Sequence, residues 1–156
     1  MGLLMSLLDW NFVLVTAITA ALLAQIIKVI LNLIIFGRII PERMWGAGGM
    51  PSSHSATVCA MAVSTGRFCG VQSTLFAVTV MFAVIVMYDA MGVRYETGEQ
   101  AKILNRMISE WLDQSSENMP LLNGKKLKEM VGHTPIEVVS GAVLGIFLGF
   151  VMPLPM

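Results

Sequence analysis

Residues 11–37 read NFVLVTAITAALLAQIIKVILNLIIFG, 27 positions with one full charge, Lys28. At about 1.5 Å per residue, a helix of this length exceeds the roughly 30 Å hydrocarbon core of a bilayer and spans it with tilt to spare. The rest of the chain has the same character. Its 156 residues give room for one domain of ordinary size. Hydrophobic residues make up 56% and charged residues 13%, with a mean hydropathy of +0.76, the profile of a membrane protein. Ten basic residues balance ten acidic ones, so no net basic field recruits nucleic acid, which is not an expected partner.

Three further apolar segments follow. Ser55 to about Arg67 is short and rich in Ala, Ser, Thr and Gly, suited to close packing against other helices. Val71 to Met91 is rich in Val, Phe and Met and ends near Asp89, and Ile136 to Met152 closes the chain before Pro153. The second and fourth segments are short enough to be half-buried or re-entrant. Between them lies a polar insertion over about 94–130. Within it Ala101, Leu104, Ile108 and Trp111 or Leu112 form an apolar stripe on a helix expected from Gly98 to Leu112, lying along the membrane surface. The expected fold is all-α: a small integral-membrane bundle of about four membrane segments plus an interfacial helix, one membrane domain over 1–156. MGLLMSLLDWNF has no basic leader and no clear cleavage site, so the first apolar run is expected to stay in the protein. Cys59 and Cys69, ten apart, lie too far apart on one helix to bridge and read as free buried thiols.

If all four segments cross, Arg38, Arg43, Arg94, Lys102, Arg106, Lys125, Lys126 and Lys128 share one side, and Arg67 is the basic residue of the other. The positive-inside rule then places both basic loops in the cytoplasm. The same count brings two polar motifs to one membrane face: GGMPSSHSA, residues 48–56, and GHTPIEVVSG, residues 132–141.

Both motifs open an apolar segment. In the first, Gly48 and Gly49 let the backbone approach a ligand, while Ser52, Ser53 and the amides of a helix starting near His54 aim donors at an anion. The plainer reading is an N-cap by Ser52 or Ser53 with a glycine hinge. In the second, Glu137 follows His133 by four, so its carboxylate can take the imidazole N–H and leave the other nitrogen a nucleophile toward phosphorus. The plainer reading of Glu137 is an acidic residue favoured in a first helical turn. Single histidines at helix ends usually cap or pack; Lys28 and Asp89 inside apolar segments argue for function, since intramembrane charges cost about 2.5–3.5 kcal/mol on insertion scales. Lys28 can also snorkel to the headgroups. Asp89 needs a partner, which Arg94 or Lys28 can supply.

GGMPSSHSATV, YDAMGVRYETGEQAKILN and VGHTPIEVVSGAVLG together resemble the divergent branch of the type 2 phosphatidic acid phosphatase superfamily, the acid phosphatase/vanadium-dependent haloperoxidase-related membrane proteins. The resemblance implies that His133 attacks phosphorus and that His54 protonates the leaving alkoxide. It further implies that Glu137 orients the nucleophile and that Ser52, Ser53 and Gly49 hold phosphate. The basic partners depart from the wider superfamily. Lys28 is followed seven residues on by Ile35 where that superfamily has Arg-Pro, and Leu127 stands six before His133 where it has arginine. Arg43, Arg94, Lys126 and Lys128 are the candidates to replace them, with Asp89 in support.

The expected activity is hydrolysis of a lipid phosphomonoester through phosphohistidine, with no cofactor and no metal required. Phosphatidylglycerophosphate, phosphatidic acid or an isoprenoid phosphate is the expected substrate, at the cytoplasmic face of the plasma membrane. The alternatives are a non-hydrolytic binder or transporter of a phosphorylated lipid, and a metal site of His54, His133, Asp89 and Glu137. The small-residue second and fourth segments could pair within one chain or between chains, so a homodimer is a possible partner state.

Overall fold

The computed structural model describes residues 2–37, 49–114, 127–129 and 131–155, and among these all regular structure is helical. The helices are α1 (Gly2–Phe36), α2 (Ser53–Cys69), α3 (Thr74–Met91), α4 (Val93–Gln114) and α5 (Pro135–Val151). Helix α1 is broken at Asn11, whose backbone is extended and whose Oδ1 accepts a bond of 3.0 Å from the Leu14 amide. Asn11 therefore caps the apolar helix, and a short helical piece precedes it. Among the described residues two stretches are long and apolar enough to cross a membrane, Asn11–Ile35 and one beginning with α3 at Thr74. Helices α2 and α5 have 17 residues each. At about 1.5 Å per residue they fall short of the hydrocarbon core.

The short helix α2 is the hub. Its small residues Ala56, Ala60 and Ser64 are fully buried, and α1, α3 and α5 pack around it. Gly141, Gly145 and Gly149 of α5 form a glycine stripe at every fourth position against it. A Cβ on Gly141 would overlap the Ser52 carbonyl and one on Gly145 the Ala56 carbonyl; one on Gly149 would lie 2.6 Å from Val63 Cβ. Close backbone approach of this kind, with its dispersion contacts, replaces the hydrophobic drive that is missing between helices in lipid. The small-residue faces of the second and fourth segments thus meet each other within one chain. Ala20 and Ala24 of α1 complete this core with Ala56 and Ala60, and Leu144 and Leu148 pack on it.

Two expectations are corrected. The polar helix begins at Val93, not Gly98, because Gly92 makes only a corner: its amide bonds Tyr88 O at 2.9 Å and its carbonyl takes Glu96 N at 3.0 Å. Of the expected stripe, Ala101 is buried and Leu104 is exposed. Cys69 is an exposed thiol at the end of α2, whereas Cys59 is buried with its Sγ 3.8 Å from Met87 Sδ. Gly48, Arg38, Arg43, Lys125 and Lys126 lie outside the described residues.

Candidate active site

The two motifs meet at one end of the bundle. Pro135 opens α5 behind a capping box in which Thr134 Oγ1 accepts from Glu137 N, and the Glu137 carboxylate returns to Thr134 N at 3.0 Å. The same carboxylate reaches two other groups. Its Oε2 lies 3.2 Å from His133 Nδ1 and its Oε1 accepts the Gly49 amide at 3.1 Å. Both sequence readings of Glu137 therefore hold at once, cap and histidine partner. An ionised carboxylate can only accept, so in the neutral His133 ring the proton sits on Nδ1 and Nε2 keeps a lone pair. His133 is 2% exposed, and its Nε2 is buried without a hydrogen-bond partner. The Ser52 amide donates to Glu137 O at 3.0 Å, tying the start of α2 directly to the first turn of α5.

The segment leading into His133 is held from the other side. The His133 amide donates to Ala90 O at 3.0 Å, at the end of α3. Gly132 has φ +87°, and a Cβ there would overlap the Arg94 and Tyr95 backbone. Asn105 of α4 pairs with both backbone groups of Leu127 at 2.9 Å and reaches Glu129 Oε1 at 2.8 Å. Helix α4 is thus a template for the strand of chain that delivers His133. No local pattern around Asn105 announces this role, because its partners lie 22 and 24 residues away.

His54, in the first turn of α2, faces His133 with ring centroids 5.9 Å apart and planes at 62°. Ser52 is the N-cap of α2. Its Oγ accepts the Ser55 amide at 3.3 Å, the Ser55 hydroxyl lies 3.1 Å from it, and both serines are fully buried. The capping reading of the motif therefore applies to Ser52, while Ser53 and His54 face an open cavity.

Lys28 is 2% exposed and does not snorkel. Its stem packs on Gly49, where φ is +86° and an added Cβ would touch Lys28 Cδ at 3.4 Å. Among the described residues Lys28 makes no hydrogen bond or ion pair, and the Glu137 carboxylate is the charge within its electrostatic reach. A buried ammonium with no contacting counter-ion is costly until a partner is supplied. Burial, and after it the neighbouring His133, Arg94 and Lys28, push the His54 imidazole below its ordinary pKa. Arg94 Nε lies 2.6 Å from Asp89 Oδ2, so Arg94 is the partner Asp89 requires. Lys128 is exposed and makes no hydrogen bond or ion pair among the described residues. No group of three or more His, Cys, Asp or Glu among the described residues converges as metal ligands would.

The model of the divergent PAP2 family matches residues 10–148. The chain belongs to the divergent PAP2 family. It is 40% identical over 148 residues to the membrane protein YuiD of Bacillus subtilis strain 168, itself described as uncharacterized, covering 91% of this chain and 94% of that one. No solved structure matches the chain. This divergent PAP2 protein is accordingly a small helical membrane protein with a phosphatase-like scaffold, and the matched span contains Lys28, both histidines and Glu137.

Proposed function

We propose that the protein hydrolyses a lipid phosphomonoester by way of a phosphohistidine. The observation that carries this reading is the buried His133 ring, held through Nδ1 by Glu137, with Nε2 unpartnered and the His54 ring beside it. In the first step Nε2 forms a bond to phosphorus as the ester P–O bond breaks. His54, charged in the field of the bound phosphate dianion, which opposes the burial and the Arg94 and Lys28 charges that otherwise favour its neutral form, gives its proton to the departing alkoxide. In the second step the now neutral His54 takes a proton from water, whose oxygen attacks the phosphohistidine and releases phosphate. The Glu137 carboxylate stabilises the cationic ring of the intermediate. Lys28, with Arg94 nearby, balances the phosphoryl oxygens, and the amides at the start of α2 add a helix N-terminus.

A phosphate site at the end of a membrane bundle, among exposed apolar faces, suits an amphipathic ester. Phosphatidylglycerophosphate, phosphatidic acid and isoprenoid phosphates form the natural panel. The loop charges favour a site on the cytoplasmic face of the plasma membrane. A second reading, a non-hydrolytic binder or transporter of a phosphorylated lipid, is favoured by Leu127 and Ile35, which stand where the wider superfamily places arginines. Phosphate release by detergent-purified protein from that panel, with chelator present, separates the two. Release that His133→Ala and His54→Ala both abolish supports hydrolysis. Binding without release by a folded protein supports the binder.

A further inference from the structure

Among the described residues α1 and α3 flank α2 with no close backbone approach to each other. Between them runs a cavity of about 390 Å³, lined by Ala21 and Leu22 of α1, His54 and Val58 of α2, and Phe82 and Val86 of α3. Its walls are mostly hydrocarbon, and Leu22 and Phe82 are exposed on the lateral surface of the bundle. His54 therefore joins the histidine pair to the cleft. It meets the ring of the buried His133, which does not line the cleft, and it is itself part of the cleft wall.

Phosphoryl transfer places the entering and leaving atoms roughly in line, on opposite sides of phosphorus. If His133 Nε2 enters, the leaving oxygen lies on the side of the acid that protonates it, His54, and the carbon chain attached to that oxygen continues beyond. Beyond His54 lies the apolar cleft. Its volume sits at the low end of the roughly 300–1,000 Å³ usual for ligand pockets. At about 390 Å³ the cleft has room for one hydrocarbon chain and not for the two chains of a diacylglycerol side by side.

Resting on the phosphotransfer reading of the histidine pair, we infer that the cleft between α1 and α3 holds the hydrocarbon of the leaving alcohol. The substrate is then a single-chain lipid phosphate that enters sideways from the bilayer. Ala21 and Val86 set the width of the channel. Water-soluble phosphate esters reach the same histidines without the chain's contribution to binding.

The test compares kcat/KM of the purified full chain in detergent for farnesyl phosphate, butyl phosphate and dioleoyl phosphatidic acid, in the wild type, Ala21→Leu and Val86→Trp. The expected order is farnesyl above dioleoyl. Narrowing the cleft should lower the farnesyl-to-butyl ratio by about tenfold or more, the scale of a misfitted apolar pocket. An unchanged ratio in both folded variants, or a preference for the dioleoyl lipid, overturns the inference. Should the wild type release no phosphate from any ester, hydrolysis fails separately and the cleft is read by binding. A chain-brominated alkyl phosphate should then quench Phe82→Trp more strongly than Phe147→Trp, which lies on the exposed face of α5. Equal quenching at the two positions overturns the cleft.

Discussion

The two ends of the bundle use buried and half-buried charge in opposite ways. At the far end Arg67 Nη1 donates to Gly149 O at 2.6 Å and to Met152 O at 2.7 Å, and its guanidinium lies 5.8 Å from the centre of the Phe12 ring. It caps the carbonyl end of α5 and staples three helices, as a cation near a helix C-terminus should. At the other end Lys28 is buried with no contacting partner and His133 Nε2 is left over. One end is closed by satisfied hydrogen bonds. The other is held open by groups that lack them, which is the state expected where a ligand supplies the missing partners.

This contrast can be broken by substitution. The largest effect is expected for His133→Ala, which should lower phosphate release by about 10³-fold or more, with a thermal midpoint close to wild type in a melting scan. Arg67→Met should do the reverse. Losing a charged donor to two carbonyls costs about 1.5–3 kcal/mol, read as a lower unfolding midpoint in detergent, while kcat/KM per folded molecule stays near wild type. Lys28→Met sharpens the difference further, because an apolar chain of similar length removes a buried charge. Stability should hold or rise, whereas affinity for inorganic phosphate as a competitive inhibitor should fall by about tenfold, the scale of one charged contact. If Lys28→Met instead unfolds the protein, Lys28 belongs with Arg67 as a structural group. The smallest effect is expected for Asn105→Ala. Loss of its bonds to Leu127 should cost about 1 kcal/mol and lower kcat a fewfold with KM unchanged, since it positions His133 without touching substrate.

Much of the mouth end was legible in the chain. Counting apolar segments placed GGMPSSHSA and GHTPIEV on one side, and the two histidines do meet there. The spacing of His133 and Glu137 foretold their contact, but by another route than a shared helical face: His133 precedes the N-cap Thr134, and the Glu137 carboxylate folds back to both in the capping box. The Asp89 carboxylate in an apolar helix demanded a partner, and Arg94 supplies it. The far end was not legible. Arg67 and its acceptors are separated by 82 and 85 residues, and nothing local at Arg67 points to Gly149. The fate of Lys28 was equally hidden, since an amphipathic lysine near a helix end can snorkel or turn inward, and only the position of Gly49 against its stem decides.

By itself, then, the sequence determined a small all-helical membrane protein, its family, and the pairing of each histidine motif with a helix start. The helical membrane class and the helix starts follow from composition, periodicity and capping, which act over a few residues, and the family from the resemblance of three motif blocks. Tertiary structure decided that the glycine stripe of α5 serves the hub helix α2 inside one chain, that Ser52 caps while Ser53 and His54 face the cleft, and that α4 presents His133. These depend on which backbone surfaces approach closely, and in a bundle of small residues that choice is made by packing across the whole chain.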